Sequence, residues 1–239
     1  MQVPKAVVCL PTYNERENLE PMLRALGEEG VRVLVIDDNS PDGTGKLADR
    51  LATELGYVDV LHRESKEGLG PAYLAGFRQA LASDAELILE MDCDFSHYPD
   101  YVPRLIAAVE DGADLALGSR YVPGGGVRNW GLLRRFISAG GSAYARIILG
   151  VKVRDLTGGF KCYRRAVLET IDLDAVESKG YAFQIETTYR ALRAGFKVVE
   201  VPITFADREV GGSKMSKAIV AEAIWKVPGM RLQALFGRI

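Results

Sequence analysis

Only three cysteines, Cys9, Cys93 and Cys162, occur among the 239 residues, and none sits at a disulfide or metal-ligand spacing. That excludes a disulfide-stapled scaffold and fits a reducing, cytoplasmic compartment. Net charge is as small: Lys+Arg at 30 against Asp+Glu at 32 gives −2, so no global basic field exists to hold nucleic acid. Any anion recognition must be local. No charge-free apolar run reaches the roughly 18 residues of a spanning helix, and Met1 to Leu10 lacks the basic start, apolar stretch and cleavage site of a secretory signal. A Pro/Gly/Ser-rich linker is absent too, which argues for a single domain. The glycine fingerprint of dinucleotide binding is missing: Gly68-x-Gly70 lacks a third glycine and follows the third expected strand. A nicotinamide-dependent reductase is therefore disfavoured, and tight helix packing explains the two glycines.

What is present reads as an α/β domain. Hydrophobic residues make up 48% and charged ones 26%, enough for a sizeable core. Short β-branched runs at Ala6 to Leu10, Val31 to Ile36, Tyr57 to His62, Glu86 to Met91 and Asp114 to Gly118 alternate with amphipathic stretches. Those stretches, Arg16 to Glu28, Thr44 to Leu55, Leu69 to Ala82 and Pro99 to Glu110, are expected helices. Repeated βαβ units give a mostly parallel sheet with helices on both faces, and ligands bind beyond the carboxyl ends of its strands. The second half is looser. It contains a Gly-rich loop at Tyr121 to Val127, a basic amphipathic stretch at Arg128 to Leu149, a helix at Tyr181 to Arg193, a strand at Phe196 to Val201 and a basic loop at Asp207 to Lys217. Residues 1–217 are read as the catalytic domain and 218–239 as an amphipathic C-terminal segment.

Three strand-end turns carry the chemistry. Asp92-Cys93-Asp94 places two carboxylates one residue apart after an apolar strand, within reach of one divalent ion; hard oxygen ligands suit Mg²⁺ or Mn²⁺. Alone, the pattern is explained equally well by a turn capped by Asp94. Pro11-Thr12-Tyr13-Asn14-Glu15 follows the first strand, where a ring can flank a base and a carboxylate can accept base or ribose hydrogens, although helix initiation uses the same residues. In Asp37-Asp38-Asn39-Ser40-Pro41-Asp42-Gly43-Thr44, turn and cap chemistry accounts for the later residues but not for adjacent acids. Asp38 is assigned to binding and the rest to structure.

Together with "KEGLGPAY", "LGSRYVPGG", "DLTGGFKCYRR" and "FADREVGGSK", these turns resemble the inverting family-two glycosyltransferases of the GT-A fold. More closely they resemble the polyprenol-phosphate mannose synthases, over most of the chain. The resemblance implies GDP-mannose as donor, a polyprenyl phosphate as acceptor and a membrane surface as partner, and leaves open a separate membrane-anchoring protein. It implies Pro11, Tyr13, Glu15, Ile36 and Asp38 in the nucleotide pocket, Asp92 and Asp94 as metal carboxylates, and Cys93 and Ser96 beside them, Ser96 also toward the metal. Arg120, Arg208 and Lys214 match the cations around the diphosphate and acceptor phosphate, with Asp94, Arg120 and Arg208 in the catalytic set. The family commonly has Ala where Cys93 stands, and some members carry Gln at Ser96 and Lys at Ala182.

The residues favour the same acceptor independently. A phosphate monoester, with a second pKa near ~6, is already an anionic nucleophile and needs cations more than a base. The only histidines are His62 and His97, and His97 is read as helix-start packing rather than as a base. Arg128, Trp130, Leu132, Leu133, Arg134, Arg135, Phe136 and Ile137 combine cations with apolar and aromatic side chains, as an interfacial helix requires. Trp225, Leu232, Leu235 and Phe236 offer a second contact. The expected location is the cytoplasmic face of a membrane, peripherally bound. Rival readings are the same lipid acceptor with another nucleotide sugar such as UDP-glucose, and a non-catalytic sugar-nucleotide-binding subunit.

Overall fold

Runs of β-branched residues with no polar face must be covered on both sides, and the chain achieves this with a helix after almost every strand. The structure, a computed structural model, describes residues 5–178, 180–206, 217–237 and 239. Strands β1 (Ala6–Thr12), β2 (Arg32–Asp37), β3 (Val58–His62), β4 (Leu87–Glu90) and β5 (Leu115–Ser119) alternate with helices α1 (Arg16–Glu28), α2 (Thr44–Leu55), α3 (Leu69–Ala82) and α4 (Val102–Glu110). These elements lie close to the expected bounds. Strand alternation divides the core: Val8, Leu10, Val33 and Val35 pack toward α1, α2 and α4, while Val7, Cys9, Leu34 and Ile36 pack toward α3. Gly76 of α3 makes room for the latter layer, since a Cβ there would lie 2.4 Å from Ile36 Cδ1.

The second half adds β6 (Gly126–Val127), α5 (Leu132–Leu149), β7 (Lys161–Arg164), α6 (Arg165–Thr170), α7 (Gly180–Arg193), β8 (Val198–Pro202), β9 (Thr204–Phe205) and α8 (Lys217–Leu235). The large sheet runs β3-β2-β1-β4-β7-β5-β8, with β7 antiparallel to both neighbours and every other pairing parallel. β6 and β9 form a separate parallel pair. The inserted β7 brings the segment after Gly159 alongside β4, directly beneath the carboxylate turn.

Helices α5, α7 and α8 share a third apolar cluster that includes Leu149, Tyr189, Val227 and Met230. The C-terminal segment is therefore packed on the domain, and α8 is apolar on two sides: Val227, Met230 and Ala234 are buried, whereas Ile224, Trp225, Leu232 and Leu235, and Phe236 just beyond the helix, are exposed. Among the described residues, no helix is long and apolar enough to cross a membrane.

Candidate active site

At the carboxyl ends of β1, β2 and β4 lies a cavity of about 370 Å³, a volume suited to a small-molecule ligand. Pro11, Tyr13, Glu15, Asp38, Asp92, Cys93, Asp94, Ser96 and Arg120 all line it, although they span more than a hundred positions of sequence. Ile36 does not. Period-two alternation turns its side chain toward α3, where it is fully buried in the core, so the expected role of Ile36 in the nucleotide pocket finds no side-chain basis.

The carboxylate turn is wound tightly. Phe95, between Asp94 and Ser96, adopts φ +57°, a left-handed conformation that costs a bulky residue about 1–2 kcal/mol. The winding brings Ser96 back onto Asp94: its N–H donates to Asp94 Oδ1 at 3.0 Å, and its hydroxyl makes a short bond to the same oxygen. Ser96, expected as a metal ligand, donates its hydroxyl proton to Asp94 and so orients that carboxylate, while its oxygen lone pairs are not used by that bond. The Asp92 N–H donates to His97 Nδ1 at 3.2 Å, so that nitrogen is an acceptor and the proton of the neutral ring lies on Nε2. His97 is buried and stacked on Phe160 at 4.9 Å, and burial lowers its pKa to about 4. The packing role expected of His97 holds, with the added function of fixing the backbone of Asp92.

Asp94 is buried, while the Asp92 side chain keeps 30% of its surface exposed toward the cavity side. Among the described residues, no group of three His, Cys, Asp or Glu side chains converges to form a closed cage. Two hard carboxylates beside a cavity instead fit a cation such as Mg²⁺ or Mn²⁺, which takes one or two protein oxygens and completes its shell with substrate phosphates and water.

Adjacent acids Asp37 and Asp38 divide their roles. Asp37 accepts from Thr12 Oγ1 at 3.3 Å, Ser40 N at 3.1 Å and Ser40 Oγ at 2.6 Å, all within the β1 and β2 turns. Asp38 faces the cavity and accepts from Arg63, which also binds Glu67. Burial raises the pKa of Asp38 and the Arg63 charge opposes that rise. Lys66 stands 3.9 Å from the centre of the Tyr13 ring, so that face of the ring is covered.

Arg120 is the best-anchored cation of the site. Its backbone N, Nε and Nη2 donate to Asp155 at 2.9, 2.7 and 2.6 Å, and Nη2 also reaches Thr157 at 2.9 Å. Burial would lower its pKa, but Asp155 reverses that and the net shift is upward. Arg208 and Lys214 lie outside the described residues.

Trp130 corrects the membrane reading of its segment. Its indole is 7% exposed, packs edge-on against Phe205 at 5.3 Å and lines the cavity, with Arg134 stacked 4.3 Å from its ring. An aromatic neighbour and a guanidinium claim the indole, so lipid does not. The large apolar residues of α5 that do face outward are Leu132, Phe136, Ile137 and Ile147.

Sequence reasoning assigned no role to Asp155, Thr157, Lys161 or Gln184, nor to Tyr181 and Glu222, which also line the cavity. A signal existed for two partners below the site. Glu90 ends an apolar strand and Lys161 begins another; charged residues in runs destined for burial need each other. They pair at 2.9 Å, both fully buried.

Comparison with known proteins gives a consistent result. The sequence profile described as Glycosyl transferase family 2 matches residues 7–172. A polyprenol monophosphomannose synthase of Mycolicibacterium smegmatis is 54% identical over 226 residues, covering 93% of this chain and 85% of the relative. An undecaprenyl-phosphate mannosyltransferase of Micrococcus luteus is 50% identical over 232 residues, covering 96% and 95%. Among solved structures, a Pyrobaculum calidifontis mannosyltransferase in complex with GDP-Man and Mn²⁺ superposes with a TM-score of 0.60 at 16% identity, over 98% of this chain and 72% of that one, a likeness of fold.

Proposed function

The chain belongs to glycosyl transferase family 2, and on that premise we propose that it moves mannose from GDP-mannose to a polyprenyl phosphate, with inversion, at the cytoplasmic face of a membrane. The acceptor and the sugar are supported by the two curated relatives, which match it over nearly their whole length. The observation that carries the reading is the meeting, in one cavity, of the β1 and β2 turns, the Asp92–Asp94 pair and the Arg120–Asp155 clamp.

In this reading Pro11, Tyr13, Glu15 and Asp38 hold the nucleoside, and Asp92 and Asp94 hold Mg²⁺ or Mn²⁺ with Ser96 fixing Asp94. When bound, the divalent cation supplies Lewis-acid neutralisation of the diphosphate. Arg120, immobilised by Asp155, adds a fixed positive group at the phosphates without reorganising during reaction. Arg208 and Lys214 are assigned to the acceptor phosphate. The acceptor oxygen is already anionic, which suits a wall whose buried histidine uses Nδ1 on the Asp92 backbone and carries no proton-accepting duty. Phe136 and Trp225, 75% and 81% exposed on helices α5 and α8, are assigned to the lipid surface.

The test is transfer of label from GDP-[¹⁴C]mannose to a short polyprenyl phosphate, read in the organic phase, beside a UDP-glucose arm. Wild type should be active only with divalent metal, and Asp92→Ala or Asp94→Ala should lose at least about 100-fold. Full turnover in excess chelator, or preference for UDP-glucose, would overturn the assignment of metal or donor. Co-sedimentation with anionic liposomes should fall for Phe136→Ser/Trp225→Ser while activity on the short acceptor persists. Unchanged co-sedimentation would remove those two residues from the membrane contact.

A further inference from the structure

Behind the β2 turn, one guanidinium is committed to a single oxygen of a cavity-lining carboxylate. Arg63, directly after β3, does not line the cavity, whereas Asp38 does. Arg63 Nη1 donates to Asp38 Oδ1 at 2.5 Å and Nη2 donates to Glu67 Oε2 at 2.8 Å, and the Arg63 and Asp38 side chains are only 12% and 7% exposed. Asp38 Oδ2 accepts no hydrogen bond among the described residues, yet it is not a sealed atom, so it stays open to a ligand.

Holding the two turns together does not require that guanidinium. The Arg63 N–H already donates to the Asp37 carbonyl at 2.9 Å, and Asn39 Nδ2 donates to the Glu64 carbonyl at 2.9 Å. What the guanidinium changes is the carboxylate. Burial raises the pKa of Asp38; the charge and hydrogen bond of Arg63 oppose the rise, Asp37 adds to it, and Lys66 opposes it from the segment before α3. Glu67 shares Arg63 from an exposed position, where water screens it. A carboxylate is a pure acceptor only while ionised, and with Oδ1 gripped its orientation is set before any ligand arrives.

We propose that Arg63 is the positioning residue of the nucleobase site: by gripping Oδ1 it presents Oδ2 of Asp38 to an N–H on the edge of the donor's base, without itself touching the nucleotide. An anionic acceptor there takes bases whose edge carries a ring N–H, guanine and uracil. It repels adenine and cytosine, whose corresponding ring nitrogen is an acceptor. The inference rests on the nucleotide-sugar reading above and deepens it by naming what fixes the selectivity for the base.

A double-variant cycle separates this role from a structural one. GDP affinity, measured by titration calorimetry with Mn²⁺ present, should fall about tenfold or more in Arg63→Met at pH 7. Arg63→Lys, which keeps the charge but not the fork, should recover part of the loss. Asp38→Asn should weaken GDP as well, and adding Arg63→Met to it should change nothing further, because the arginine acts through that carboxylate. The preference of wild type for GDP over ADP should narrow in Arg63→Met by the factor that GDP loses. The pH profile is a second readout. Removing Arg63 raises the folded-state pKa of Asp38 further, so the loss of GDP affinity on acidification should begin about one pH unit higher in Arg63→Met and near the wild-type position in Arg63→Lys. Losses that multiply in the double variant, or an acid limb that Arg63→Met leaves in place, would mean a structural role and overturn the proposal. Wild type that prefers UDP to GDP would overturn the GDP-mannose reading alone, since uracil also offers a ring N–H, and the same cycle is then decided with UDP. Wild type that binds neither nucleotide would overturn the nucleotide-sugar reading and this proposal with it.

Discussion

At the ends of β1, β2 and β4 the cavity is lined by turns that each lie within a few positions of one strand end, whereas behind its opposite wall Arg120 is joined to Asp155 and Glu90 to Lys161 by the chain that enters the antiparallel strand β7. The first region is a direct consequence of parallel topology. Each parallel strand delivers its following turn to the same edge, so local turn chemistry and site chemistry coincide. The second region depends on long-range pairing, hinted at only by charged residues at the ends of apolar runs, and it holds the buried charges. Turn residues serve the ligand, so changes there should cost activity more than stability; the wall is desolvated, and each of its charges depends on a partner.

The largest effect should therefore come from the wall. Burial raises the pKa of Glu90 and lowers that of Lys161, each opposed by the other's charge, and the pair has no exposed surface. Lys161→Met would leave Glu90 uncompensated at a cost of about 3–5 kcal/mol, whereas Glu90→Gln/Lys161→Met should recover a good part of it. Urea unfolding of the two single variants and the double variant measures this. A Lys161→Met protein as stable as wild type would erase the contrast between the regions.

Next in size is the clamp. Asp155→Asn keeps the shape but removes the charge that anchors Arg120 Nε and Nη2. A hydrogen bond to a charged group is worth about 1.5–3 kcal/mol, so kcat/KM should fall by about tenfold to a hundredfold. Circular dichroism should show an intact fold. Ordinary kinetics in this variant would mean that Arg120 needs no fixed orientation.

The same contrast explains what the sequence made legible. The βαβ half could be read because apolar period, capping turns and strand ends all point one way, and Asp38, Asp92 and Asp94 stand where those turns end. Ile36, taken from the resemblance, turns its side chain into the core, and a matched motif says nothing of which sheet face a side chain takes. Trp130 was misplaced because a segment of arginines and apolar residues has the same composition whether it covers a cavity or a lipid surface; only Phe205, far along the chain, decides between them. β7 is four residues long with a lysine at its start, too short and too polar at one position to announce a central strand. Gln184 sits in an amphipathic helix, where nothing local distinguishes it from a solvated glutamine.

The smallest effect sharpens the comparison inside the legible region itself, at two adjacent acids. Asp37 directs both carboxylate oxygens into its own turn, toward Thr12 and Ser40, and Gly45 leaves room for it, since a Cβ there would come within 2.6 Å of Oδ2. Asp37→Asn replaces one acceptor with a donor facing Ser40, which should lower stability by about 1 kcal/mol and leave the donor KM unchanged. Asp38→Asn removes a charge that lines the cavity, while Arg63 keeps Glu67 as a partner, so stability should hold and the donor KM should rise several-fold. Unfolding midpoints and donor KM for the two variants form a two-by-two test of whether neighbouring acids on one strand end divide structure from binding. Should both variants raise KM equally, the turn would act as one unit, and the division of labour read from its hydrogen bonds would fail.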